Sequence, residues 1–159
     1  MLPKHHIAYG AAFSTVSWLA FPQIGYQAIT IFLASFLVDV DHYLIYVIRE
    51  KNLNPKKAFK YFRKMHEVIK IEFKSLNIKF TVGKMKKSPL FILHSIEFLL
   101  LLFIISFYYS VFLFIFIGLA FHNILDIIDI QREFGSLAPR DYSIIQYIIN
   151  KKQGKSKYL

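Results

Sequence analysis

Apolar residues fall into four long runs separated by polar or turn-forming breaks. The first run is His6–Phe21, closed by Pro22, and the second extends from about Gln23 to Ile48. The third is Pro89–Phe107 and the fourth Val111–Ile130. A spanning helix needs about 20 mostly apolar residues. The third and fourth runs meet that length. The first is short, and the second is long enough to tilt or to project from a bilayer. The breaks Pro22–Gly25 and Ser106–Ser110 are short and suit tight turns between antiparallel helices. The pattern therefore predicts an all-α protein, an integral-membrane bundle of four transmembrane helices. The alternative is a soluble helical protein. It would have to bury nearly forty continuous, mostly apolar residues, which is difficult at this chain length.

Between the second and third runs the pattern changes. Asn54–Pro55 reads as a helix start, because Asn can cap and Pro suits the first turn. Ala58, Phe59, Tyr61, Phe62, Met65, Val68, Ile69 and Phe73 then recur at helical spacing, with Lys57, Lys60, Lys64 and Lys70 interleaved. This predicts an amphipathic helix on an anionic membrane surface. Residues 76–87 suit a strand or a loop. Gln131–Pro139 reads as a loop, and Tyr142–Ile149 as a short amphipathic helix. Residues 1–150 are expected to form one membrane-embedded helical domain, with 49–88 as a basic insert and 151–159 as a basic tail.

Charge orients this arrangement. Residues 49–88 hold thirteen Lys/Arg and three Glu, which accounts for the net charge of +10, while the rest of the chain balances. Lys4, the 49–88 insert and the Lys151–Lys157 tail would share one side of a four-helix bundle, and the two short turns carry no charge. The positive-inside rule then places both termini and the partly helical insert in the cytoplasm, in a multi-pass inner-membrane protein. Tyr26, Tyr108 and Tyr109 would anchor the opposite interface. The first run follows a single lysine and lacks a convincing cleavage site, so it reads as part of the mature fold. Membrane lipid is the expected partner, with anionic headgroups near 49–88. Nucleic acid is not favoured, because the insert has no reading motif and topology alone explains its charge.

Composition adds a constraint on chemistry. Hydrophobic residues reach 55%, mean hydropathy is +0.42, and there is no cysteine, so any metal must be held by His, Asp or Glu. Such residues stand inside the apolar runs, where ionisable groups are costly unless paired or metal-bound. They are His6, Asp39, Asp41, His42, His94, Glu97, His122, Asp126 and Asp129, and all fall toward the same predicted face. His122 and Asp126 are i,i+4, with Asp129 at i+7; His94 and Glu97 are i,i+3, as are Asp39 and His42. Helices of carboxylate-bridged bundle sites offer paired ligands in this way. The donor set suits zinc, manganese or iron, as one ion or two, the surplus groups orienting the ligands. Plainer roles compete. A lone His122 could be a packing residue, Asp129 could pair with Arg132, and His5 and His66 read as surface groups.

The order of these motifs resembles the bacterial and archaeal membrane-bound metal-dependent hydrolases, a family that includes the LexA-binding inner-membrane-associated hydrolases. The matching elements are His6–Ile7–Ala8–Tyr9–Gly10, then Asp39–Val40–Asp41–His42, then Leu93–His94–Ser95, and finally His122–Asn123–Ile124–Leu125–Asp126. The resemblance covers most of the chain except the basic insert and tail. It departs at Val38, where the family has Pro, at Leu93, where it has Thr, and at Pro89–Ile92, where a His-Arg-Gly stretch is usual. Glu97 could replace the missing histidine.

On this resemblance the expected metal ligands are His6, Asp39, His94, His122 and Asp126, with His42 as a sixth. Asp41 or Glu97 would be the general base, a bridging ligand or the partner that sets an imidazole tautomer. The implied activity is hydrolysis at the cytoplasmic leaflet with a divalent metal, zinc first, on a phospholipid or lipid-linked phosphate ester. A non-catalytic, metal-stabilised membrane adaptor binding anionic lipid or protein would instead leave the metal closed off by protein ligands. A metal-ion transporter would need polar residues continuing toward the other face, and the first halves of runs two and four offer almost none. The sequence leaves oligomeric state open.

Overall fold

The computed structural model describes residues 3–75, 86–87, 89–153 and 157–158, with side chains for 5–71, 73 and 89–153. The described chain is all-helical in character. Its helices are α1 (Pro3–Ala20), α2 (Gln27–Leu37), α3 (Val40–Glu50), α4 (Pro55–Ser75), α5 (Ile96–Ser106), α6 (Val111–Phe134) and α7 (Ile144–Lys152). Short 3-10 turns occupy Pro22–Ile24 and Ile92–His94. Lys86–Lys87 and Lys157–Tyr158 pair as parallel two-residue strands, too short to form a layer. Residues 76–85, read from sequence as strand or loop, lie outside the described residues, as do 154–156 and 159 of the tail and the side chain of Lys4.

Two helical stretches are long and apolar enough to cross a membrane: Gln27–Glu50, counted through the turn after α2, and α6, each of 24 residues. The expectation of four such helices is narrowed in the third run. That run is helical only from Ile96 to Ser106, 11 residues. Its first part, Pro89–Phe91, is followed by the 3-10 turn, and Ser95 is extended at φ −78° and ψ 149°. That is the conformation of a residue standing just before a helix, and serine is a preferred one there. Helix five thus starts after His94, and the i,i+3 pairing of His94 with Glu97 along one helix does not occur. Asp39 likewise sits in a turn between α2 and α3, not on a shared helix with His42.

The chain divides into two compact units. The first comprises Met1–Asp39 and Ile96–Asp129. Here α1 packs on α2, with the Ser14 hydroxyl donating to the Ala28 carbonyl at 2.7 Å. Phe13 stacks on Phe121 of α6, and Phe103 of α5 meets Phe116. Two glycines permit the close approaches. A Cβ at Gly10 would collide with the Ser35 side chain, and one at Gly118 would collide with the Ile31 carbonyl and Ala34. Small residues at helix crossings let the backbones approach closely.

The second unit comprises Val40–Ser95 and Ile130–Leu159. As the sequence predicts, α4 begins at Pro55, and the Asn54 side chain accepts the Lys56 and Lys57 amides at 3.0 and 3.3 Å. Its apolar face is used inside the protein: Ile69 and Phe73 form a buried cluster with Phe134, packed by Met65, Ile130 and Ala138. The α6 helix continues to Phe134 and ends at Gly135 (φ 66°), so the loop predicted from Gln131 starts later. Glu133 accepts from Lys70 at 2.6 Å and lies 3.0 Å from the half-exposed His66. Ser143 caps α7 by accepting the Gln146 amide at 3.2 Å.

Candidate metal centre

In the first unit, three elements bring His6, Asp39, His122 and Asp126 together. Gly10 lets α1 approach α2, which sets His6, one turn away, deep in the unit at 3% exposure. At the end of α2 the helix tightens: the Asp39 amide donates to the Phe36 carbonyl at 3.3 Å, an i to i−3 bond. The Ser35 carbonyl, which a continuing α-helix would have paired with that amide, accepts from His122 Nδ1 at 2.7 Å. A carbonyl can only accept, so His122 carries a proton on Nδ1 and turns Nε2 toward the carboxylates. The same turn that ends α2 therefore orients His122.

Four separations define the cluster. His122 Nε2 lies 3.5 Å from Asp39 Oδ1 and 3.6 Å from Asp126 Oδ2. His6 Nε2 lies 3.4 Å from Asp126 Oδ1. The His6 and His122 rings stack with centroids 4.2 Å apart. One ligand-type atom from each of His6, Asp39 and His122 falls within 4.8 Å of the others. The contacts of 3.4–3.6 Å exceed ordinary hydrogen-bond lengths. Donors bound at about 2.0–2.2 Å around a tetrahedral zinc lie about 3.3–3.6 Å apart, so the spacing matches the edges of a metal coordination shell. Among the described residues His6 Nδ1 is buried without a hydrogen-bond partner. The residues present fit a divalent cation, and this buried His/Asp cluster can hold one.

The second unit carries its own polar group, built on Asp41. This residue lies in the first turn of α3, where the helix dipole favours a carboxylate. Its Oδ2 accepts from the Leu93 amide at 3.2 Å and from His94 Nδ1 at 3.0 Å. His42 Nδ1 lies 3.0 Å from Oδ1. Of the roles expected for Asp41, this is the geometry of a carboxylate orienting imidazoles. With Nδ1 of His94 protonated toward Asp41, Nε2 is left as the basic atom. The His42 ring stacks on Phe91 at 3.8 Å, and the Arg140 guanidinium stands 4.9 Å from the Phe91 ring centre.

Six of the expected ligands thus divide by unit: His6, Asp39, His122 and Asp126 in the first, His42 and His94 in the second. Glu97 stands half-buried in the first turn of α5. Sequence reasoning missed the Ser35 carbonyl, the Leu93 amide, Phe91 and Arg140. The first two are backbone groups and carry no residue signal. Proline 89 and Ser95 were the available hint that the third run starts as something other than helix. Comparison with protein-family models, with curated proteins and with solved structures finds no match to this chain.

Proposed function

We propose that the protein is a membrane-bound metal-dependent hydrolase acting at the cytoplasmic leaflet on a phospholipid or lipid-linked phosphate ester. The observation that carries the reading is the convergence of His6, Asp39, His122 and Asp126 at the separations of a metal shell, inside a unit with an apolar exterior. The motif order shared with membrane-bound metal-dependent hydrolases supports it. So does the exposed face of α4, where Lys56, Lys57, Lys60, Arg63 and Lys64 outnumber Glu67 and would attract anionic headgroups. In this reading the protein is multi-pass in the inner membrane, with the basic insert and both ends of the sequence cytoplasmic.

The ion would be held by His6, Asp39, His122 and Asp126, and zinc suits this donor set best. A bound divalent cation polarises the ester and acidifies water beside it. The chain's own contributions are orientation and proton handling. Ser35 keeps His122 in the Nδ1-protonated form, which reserves Nε2 for the centre. Asp41 does the same for His94, whose Nε2 is then a proton acceptor.

Elemental analysis of the detergent-purified protein tests the reading. The parent is expected to retain a transition metal, and His6→Ala and Asp126→Ala to lose it. Turnover of phosphorylated lipids, abolished by chelation and restored by zinc, tests the chemistry. A parent without metal, or full retention in both variants, overturns the assignment.

A further inference from the structure

The exterior of the first unit says where its His/Asp cluster lies. Among its described side chains, no Asp, Glu, Lys or Arg is exposed. Large apolar side chains are exposed instead on all four of its helices, for example Leu19 on α1, Leu33 on α2, Ile104 on α5 and Leu113 on α6. A partner protein would cover one patch; an apolar surface on every helix suits lipid. Exposed aromatic residues gather at the ends and turns of these helices: Trp18, Phe21 and Tyr26 in one hairpin, Phe107, Tyr108 and Tyr109 in the other. Such a belt marks a membrane interface.

Measured from that belt, the cluster is deep. At 1.5 Å per helical residue, Tyr26 to Asp39 and Tyr109 to His122 each span about 20 Å, and Phe21 to His6 about 22 Å. The hydrocarbon core is about 30 Å thick. The apolar exterior also continues around the cluster itself: Ile7 and Tyr9 flank His6, Leu37 precedes Asp39, and Ile124, Ile127 and Ile128 surround Asp126 on α6, all exposed.

We infer that lipid acyl chains reach the exposed apolar faces of α1, α2 and α6 at the level of His6, Asp39, His122 and Asp126, so that the ligand of this centre is an acyl-chain-bearing molecule arriving laterally from the bilayer. This rests on the proposed hydrolase reading for the chemistry, and on the exterior alone for the depth. It separates a lipid ester dissolved in the membrane, which can approach the cluster across these faces, from a water-soluble phosphate ester, which meets hydrocarbon there.

Trp18 is the sole tryptophan, so the depth can be read by fluorescence in reconstituted full-length protein. In a Trp18→Phe background, Ile124→Trp and, separately, Ile127→Trp place one probe beside the cluster. Both probes are expected to lose emission in vesicles of phosphatidylcholine brominated midway along its chains and to keep it in iodide. Quenching by iodide without quenching by bromolipid, at both positions, overturns the inference. Metal content measured on the same samples keeps the two ideas apart. Deep probes in a metal-free protein would leave the lipid contact standing and remove the hydrolase reading. Water-exposed probes in a metal-loaded protein would do the reverse.

Discussion

The two units bury ionisable groups in opposite ways. In the second, Asp41 is held within hydrogen-bonding distance by the Leu93 amide and by the Nδ1 atoms of His94 and His42, at 3.2, 3.0 and 3.0 Å. In the first, His6–Asp126, His122–Asp39 and His122–Asp126 approach at 3.4–3.6 Å. A buried carboxylate gains from close donors. Imidazole nitrogens and carboxylates facing one another at the longer spacing leave room for a cation among them. The difference teaches that residue type alone does not mark a metal site; the spacing between donors does.

The strongest way to break this comparison is to remove the hub of the second unit's group. Asp41→Ala would remove the carboxylate that the Leu93 amide, His94 and His42 face, and a loss of about 3–5 kcal/mol is expected, as for breaking other buried pairs. Thermal unfolding in detergent measures it, and the loss should be the same with and without chelator. An Asp41→Ala protein as stable as the parent would show that the second unit does not depend on its carboxylate.

Chelation addresses the other side. A metal present at a hundred times its dissociation constant stabilises the folded state by about 2.7 kcal/mol. Chelator should lower the melting temperature of the parent accordingly and leave His122→Ala unmoved. Equal shifts in both proteins would remove the contrast between the units. The smallest expected effect serves as a control remote from either group in sequence. Asn54→Ala removes the cap of α4 and should cost about 1 kcal/mol, with metal content unchanged. Metal loss in that variant would mean that stability and metal retention are not separable in this way.

The parts legible in the sequence are those set by short-range rules. The start of α4 follows from Asn54–Pro55, and the one-turn spacing of His122 and Asp126 follows from helix geometry. What was hidden depends on partners distant in sequence. The α2 helix gives way at Val38–Asp39, and there the Ser35 carbonyl meets His122 from far along the chain. The third run breaks before Ile96, and there Asp41 takes the Leu93 amide and His94. Both breaks fall in apolar stretches that periodicity reads as continuous. The amphipathic face of α4 was legible too, but its burial against Phe134 was not, because lipid and a protein core select for the same residues.

His6 stands on the first helix and Asp126 on α6, so the first unit's cluster closes only after α6 has been synthesised. A ribosome making this chain would release His6 and Asp39 long before His122 and Asp126 exist. Any cation this cluster holds would therefore be taken up late, once the last of its four side chains has been made.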